Sequence, residues 1–377
     1  MQVHERNINI DVNLALLKQL LEKRPDLKLV ITSATLDSSK LKKFFSAKTL
    51  NIKGRTHPVI DRRLHEQPGF LLLADSVSQP ASRAKINRDK KGKEKIKEPE
   101  DEDARVTLGS GDSETVVQLL SKDKHCARMA VSACATLLAK KEKGDILVFL
   151  PGQEDVWRAV TAMEAVLVQE FPSERVRCLP LFGALNPQEQ ERVHKSNDEL
   201  NCDRKIIFAT NIAETSVTIK GIKFVVDSGR EKVMSLDPRT GWPSLQLQPV
   251  TKSSVTQRRG RAGRTEEGYY IPLYTISYAS GMQDNLEPEM RRCDLTSTLL
   301  EVLCLEGKWL PNMQMIDPPS EVAVRYAIET LTFLGAIDTT GATPTVTEKG
   351  RLMARLRFSS PHSAAMLLRA AKPDLGV

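Results

Sequence analysis

The sequence predicts an α/β protein built on a parallel sheet and followed by a mostly helical domain. Three observations carry this expectation. Short β-branched runs, DILVFL at 145–150, KIIFA at 205–209 and KFVVDS at 223–228, alternate with stretches of helical periodicity, the βα rhythm of a parallel sheet. Beyond Leu295 the pattern is helical, in TSTLLEVLCLEG and in SEVAVRYAIETLTFLGAID, with Gly335 near the end of the second run. At 377 residues the chain is long enough for two or three domains with cores of their own.

Taken in order, residues 9 to 24 place Leu14, Leu17 and Leu21 at helical spacing, and Pro25 ends the pattern. The run KLVITS that follows reads as a buried parallel strand with Ser33 and Thr35 at its carboxyl end. Taken singly, either hydroxyl could equally cap a helix over 37–45. From Arg83 to Arg105 there are nine Lys or Arg and seven Asp or Glu, net +2, with almost no large apolar residue. Such a segment buries too little to fold, so 76–112 is expected to be a disordered charged insertion: a solvated linker, or a basic stretch for RNA contact or nuclear localisation. Asn186, Pro187 and Glu189 form a helix start, with an N-cap, a proline at the first helical position and a capping box. Asp237-Pro238-Arg239-Thr240-Gly241 reads as a turn between extended runs. ATPTVTEKGRLMARL reads as strand, turn and helix.

The totals exclude several classes. No apolar run reaches the ~18 residues of a membrane span, and the N-terminus lacks a signal pattern, so an intracellular setting, nucleus or cytoplasm, without a membrane partner is expected. Six cysteines show neither a CxxC pair nor a histidine at zinc-finger spacing, so no metal site and no disulfide framework is expected. A net charge of +7 leans toward polyanionic partners.

The densest chemistry lies in Gln257-Arg258-Arg259-Gly260-Arg261-Ala262-Gly263-Arg264. Four arginines in eight residues argue against core placement and for an anion. The glycines allow a sharp turn or a close backbone approach, and Arg261 and Arg264, three apart, would share one face of a helical turn and reach one phosphate. Gln257 suits the positioning of a water. The competing reading is a solvated basic loop that touches RNA backbone.

Other stretches in one order set the context: His4-Glu5-Arg6, Ser33-Ala34-Thr35, Gly54-Arg55-Thr56-His57-Pro58-Val59, LVFLPGQEDV from Leu147, and ATNIAETSVTIKGIKFVVDSG from Ala209. Together with the arginine segment they resemble motifs II (in part) to VI of the DEAH-box and RNA helicase A type of superfamily 2. The resemblance implies an ATP-dependent RNA helicase that remodels RNA or RNA–protein complexes by moving along single-stranded RNA. It implies a remnant of a first RecA-like lobe over 1–60, an inter-lobe crossing over 61–75 and a second RecA-like lobe over 113–275. A winged helix over 276–360 and the start of a ratchet-type helical domain over 361–377 would follow. Residues 230 to 250 would be the family's strand-separating β-hairpin, or else a plain surface hairpin.

Carried over position by position, Gln257, Arg261 and Arg264 would meet the γ-phosphate and the attacking water. His4, Ser33, Thr35, Ser216 and Thr218 would bind nucleotide or couple it to RNA, and His194 would stack on the adenine. Gly152, Gln153, Thr210 and Asn211 would hold RNA phosphates. Lys220 stands where an aspartate is frequent, which argues against a ribose contact there. Met1 and Gln2 stand where relatives carry Asp-Glu, and no GxxxxGK[ST] occurs. ATP and Mg²⁺ are therefore expected as cofactors only if the missing first-lobe motifs are supplied, and this chain alone is expected to lack ATPase activity. The partners implied are single-stranded RNA and protein activators or a ribonucleoprotein complex. The alternative is a non-catalytic RNA-binding or partner-binding module derived from such a helicase.

Overall fold

The structure, a computed structural model, describes residues 6–33, 38–52, 57–74, 108–110, 113–120, 125–215, 219–237, 242–305, 309–356 and 360–371. His4, Thr35, Ser216, Thr218, the 238–241 turn and most of the 76–112 insertion lie outside the described residues. The chain divides into two compact units. One holds Lys53–Lys232 and Leu247–Asn285, the other Met1–Ile52, Val233–Gln246 and Leu286–Val377.

In chain order, Asn7 caps helix α1 (Ile8–Lys23) by accepting a hydrogen bond from Ile10 N at 2.9 Å, and α2 (Ser38–Phe45) follows. Between them the KLVITS run is no buried strand: apart from a single bridge at Thr32 it has no strand assignment, and Val30 is 70% exposed. Burial of a parallel strand needs both of its faces covered, so apolar composition alone does not bury it. Strand β1 (Val59–Asp61), β2 (Leu71–Leu73), β3 (Leu108–Ser110), α3 (Ser113–Leu120) and α4 (Cys126–Ala139) come next.

The sheet unit continues with β4 (Asp145–Phe149), α5 (Gln153–Glu170), β5 (Val176–Leu181), α6 (Pro187–Glu191), β6 (Arg204–Ala209), α7 (Ile212–Thr215) and β7 (Ile222–Asp227). A hairpin of β8 (Arg230–Leu236) and β9 (Pro243–Pro249) precedes α8 (Lys252–Arg259), β10 (Gly268–Pro272) and α9 (Ile276–Ser280). Six strands pair in parallel in the order β1-β10-β7-β4-β6-β5. The three strands legible as apolar runs, β4, β6 and β7, are wholly or almost wholly buried, as a parallel sheet covered on both faces requires. The Asn186 cap is also present, its side chain accepting from Glu189 N at 2.9 Å.

Helix α4 is buried on nearly all sides yet carries Ser132 and Thr136. Each hydroxyl donates to the carbonyl four residues earlier at 2.8 Å and accepts a β2 amide, from Leu73 and Leu71 respectively, at 3.0 Å. The helix thus stands in for a neighbouring strand, and the buried hydroxyls have the partners their burial demands.

Three expected boundaries move. Residues 57–60 belong with the sheet rather than with a first-lobe remnant, because Val59–Asp61 pairs with Gly268–Tyr270 as its edge strand. Leu108–Ser110 is a strand on Leu71–Leu73 rather than the end of a disordered insertion, since these residues and the helix after them have apolar partners. Helix α9 stays with the sheet unit: Thr275 caps it and the Tyr278 ring lies 5.0 Å from the Arg230 guanidinium.

In the other unit α10 (Glu289–Arg292), α11 (Thr296–Cys304), α12 (Glu321–Phe333), β11 (Ile337–Asp338), β12 (Thr345–Val346), α13 (Glu348–Arg355) and α14 (Pro361–Ala370) follow. Gly335 closes α12 at φ +68°, a conformation that favours glycine. Ala364 and Ala365 of α14 share one core with Leu299, Leu331 and Met353, so α14 packs with the helices before it rather than opening a separate domain. Arg6 joins this unit's parts, donating to Asp11 at 2.6 Å and to Asp317 at 2.8 Å.

Candidate functional site

Parallel strands that enter a sheet from one side deliver their carboxyl ends to one edge, where loops are free to carry function. Here the β4 end leads into Gly152 and Gln153, the β6 end into Thr210 and Asn211, and the β7 end into Ser228 and Gly229. Hydrogen bonds knit these ends together: Leu150 N to Ala209 O at 2.8 Å, Thr210 N to Leu181 O at 3.0 Å and Ser228 N to Phe149 O at 3.1 Å. Gly152 is the N-cap of α5, with no side chain to cap its first amides. A Cβ there would come 3.0 Å from Lys232 Nζ, so the glycine admits the lysine beside the helix start. Gln153 and Asn211 are exposed and Thr210 is half-buried, and Thr210 and Asn211 open α7 by accepting the amides of Ala213 and Glu214. The four residues expected to hold RNA phosphates thus share one sheet edge. Amide-rich turns and a helix N-terminus with a lysine beside it are groups that bind phosphate oxygens.

The arginine segment splits by role. Contrary to the expectation that none of it is core, Arg258 is among the largest fully buried side chains, 1% exposed. Its Nε lies 3.0 Å from Glu214 Oε2, Nη1 lies 2.8 Å from Asp227 Oδ1 and Nη2 lies 3.8 Å from Glu231 Oε2, while its guanidinium sits 4.8 Å from the Phe149 ring centre. These carboxylates hold the Arg258 pKa above its already high usual value against the cost of burial. Asp227 also accepts from Gly229 N at 2.9 Å and from the Tyr270 hydroxyl at 2.6 Å, and burial raises the Tyr270 pKa. Arg259 donates to Asp61 at 2.7 Å and to Val59 O, tying α8 to the edge strand.

Helix α8 ends at Arg259, and residues 260–263 form a turn rather than a new helix. Gly263 is required there for contact with the chain itself: a Cβ would lie 2.6 Å from His57 O, and the Gly263 carbonyl accepts from His57 N at 2.9 Å. Arg261 is buried, donating Nε at 2.8 Å and Nη2 to the Glu214 carbonyl, whereas Arg264 is exposed. Burial, with the charge of Arg264 adding to it, pushes Arg261 down to about 10. Two like charges held this close make a site that gains from an anion. Gln257 is half-buried in the last turn of α8. So the segment contributes Arg258 and Arg259 to the fold, and Gln257, Arg261 and Arg264 remain as the candidates for chemistry.

Other expected residues lie apart. Val193 is fully buried, and His194 after it is exposed at the end of a 3-10 turn. Ser33 is exposed in the other unit. The sequence reading missed Glu214, Asp227, Glu231 and Phe149, all of which meet Arg258; the signal present was two acidic residues closing a strand or opening one, Asp227 and Glu231.

Residues 129–266 match the family described as the helicase conserved C-terminal domain. The chain is 34% identical over 376 residues to the ATP-dependent RNA helicase DEAH12, chloroplastic, of Arabidopsis thaliana, covering 100% of this chain and 18% of that protein. It is 32% identical to the probable ATP-dependent RNA helicase DHR2 of Saccharomyces cerevisiae, covering 98% of this chain and 43% of that protein. Among solved structures, the Escherichia coli DEAH/RHA helicase HrpB superposes with a TM-score of 0.72 at 31% identity, covering 99% of this chain and 40% of that one. The chain therefore spans less than half the length of these relatives. In sequence and in fold it corresponds to the C-terminal portion of a DEAH-box helicase of superfamily 2.

Proposed function

We propose that this chain is the RNA-gripping and phosphate-contacting portion of an ATP-dependent RNA helicase that moves along single-stranded RNA. The observation that carries the reading is the placement of Gly152, Gln153, Thr210 and Asn211 on one sheet edge of the unit that also holds the Arg261–Arg264 turn. Phosphate contacts of this kind are independent of base identity, so the grip suits translocation rather than sequence readout.

Arg261 and Arg264 fit one side of a triphosphate, where guanidinium groups stabilise charge on a transferring phosphoryl group. Gln257 beside them would orient water, and His194 presents an exposed ring for a purine. Bound nucleotide would supply the energy for opening and closing the core. ATP and Mg²⁺ would be the chain's cofactors only with the first-lobe motifs supplied, since Met1 and Gln2 stand where relatives carry the Asp-Glu pair that would meet the metal and the water. The 377-residue polypeptide by itself has no GxxxxGK[ST] and hydrolyses ATP negligibly. Ser216 and Thr218 would couple nucleotide to RNA, the helices and short strands of the other unit after Leu286 would form a winged helix, and protein activators or a ribonucleoprotein would be its partners. His4, Ser33 and Thr35 would contribute to the same coupling.

The test is ATP turnover by the purified chain, alone and joined to a relative's lobe bearing a Walker A lysine. Background turnover alone, RNA-stimulated turnover when joined, and its loss on Arg264→Ala are expected. Turnover by the isolated chain at the rate of intact helicases would overturn the reading. A non-catalytic module would instead bind RNA equally with and without an ATP analogue in either form.

A further inference from the structure

The sheet edge and the arginine turn converge on one residue, Glu214. Its amide donates to the Asn211 carbonyl at 2.9 Å, which fixes it to the start of α7 and so to the Thr210–Asn211 turn. Its carboxylate accepts from Arg258 Nε at 3.0 Å and from Ser254 Oγ at 2.7 Å, both on α8. Its backbone carbonyl accepts from Arg261, the buried member of the arginine turn. Amide, carboxylate and carbonyl of one residue thus bind three different parts of the site. The residue is only 9% exposed, so water does not compete for these bonds.

We propose that Glu214 is a positioning residue that passes movement between the RNA-facing turn and the arginine turn. It touches neither RNA phosphate nor nucleotide itself. A displacement of α7 on RNA binding carries the Glu214 carboxylate and carbonyl with it, so Ser254 and Arg258 of α8 and Arg261 after it must follow or lose their hydrogen bonds; displacement of the arginine turn acts in the opposite direction by the same bonds. Glu231 shares the Arg258 guanidinium but lies on β8, outside this route. That gives an internal control with the same buried cation. The inference rests on the RNA reading of the sheet edge.

The experiment is amide hydrogen exchange of the full 377-residue chain with and without a saturating single-stranded uridine oligomer. In the wild type, RNA slows exchange at 209–213 and also at 257–264, the latter by about threefold, a size usual for coupling between neighbouring sites. Glu214→Gln, which removes the charge paired with Arg258 and leaves the backbone bonds, keeps the slowing at 209–213 and reduces it at 257–264, whereas Glu231→Gln keeps both in full. Transfer to 257–264 that survives Glu214→Gln undiminished, or that Glu231→Gln reduces equally, overturns the proposal. No RNA binding by the wild type overturns the RNA reading and the proposal together, so the two failures are distinct. If Glu214→Gln does not fold, Ser254→Ala removes one carboxylate bond without stranding a charge. It is expected to cut the transferred slowing, and full transfer in that variant overturns the proposal.

Discussion

Arg258 and Asp227 meet at 2.8 Å with side chains 1% and 0% exposed, and this pair joins the end of helix α8 to the end of strand β7. Breaking a buried pair leaves its partner charged and dry, so Arg258→Ala is expected to cost about 3–5 kcal/mol. Arg258→Lys should recover little of it, because an ammonium cannot span Glu214, Asp227 and Glu231 at once. Urea unfolding midpoints of the three proteins check both statements.

The two glycines of the segment are predicted to differ. At Gly263 an added methyl meets His57 O at 2.6 Å and Val59 Cγ2 at 2.7 Å, so Gly263→Ala must push the edge strand aside. Overpacking of this kind costs about 1–3 kcal/mol. At Gly260 the nearest atoms lie at 3.4 Å, an ordinary contact, and Gly260→Ala should leave the thermal midpoint close to wild type.

Arg261 and Arg264 should separate in stability. Arg264→Ala removes an exposed side chain and is expected to stay within about 0.5 kcal/mol of wild type. Arg261→Ala removes a buried side chain that bonds the Glu214 carbonyl, and should cost about 1–3 kcal/mol. Differential scanning calorimetry of the two variants tests the split.

Glu142 predicts an acid-side dependence. Its two oxygens accept from Arg62 at 2.7 and 2.8 Å, and this bonding holds the carboxyl below its usual range. A group whose folded value is depressed stabilises the fold above its unfolded value, about 4.3, and loses that contribution as pH falls through the lower folded value. Stability of wild type relative to Glu142→Gln should therefore be constant above about pH 5 and shrink on acidification below it. Unfolding midpoints of the two proteins at pH 7, 5 and 3 give the comparison.

The sequence shows some of this and hides the rest for identifiable reasons. Strands β4, β6 and β7 stand out because the middle of a parallel sheet selects continuous apolar runs. Edge strand β1, with residues VID, and β10, with residues GYYIP, do not: one is three residues long and the other gains its place from Tyr270 bonding to Asp227. KLVITS has the composition of a buried strand but is largely exposed among the described residues, since composition does not decide whether both faces of a strand are covered. Arg258 could not be told from Arg261 and Arg264, because the carboxylates that bury it lie 31 and 44 residues earlier in the chain. The candidate residues Gly152, Gln153, Thr210 and Asn211 are singled out by their motifs, while the sheet edge they share needs the pairing of β4 and β6.

The most direct test of the central claim is the affinity of the 377-residue chain for fluorescent single-stranded RNA, uridine and mixed-sequence oligomers alike, across a salt series. Each phosphate neutralised by a lysine or arginine of this chain contributes about −0.7 to the log–log salt slope, equally for both oligomers. Replacing Gln153 and Asn211 by Ala together should weaken binding about equally at every salt concentration, since neutral amides release no counterions, and replacing Lys232, the lysine beside Gly152, by Ala should flatten the slope by about 1. A slope near zero, or a double variant that binds like wild type at every salt concentration, would contradict the assignment of this sheet edge to RNA.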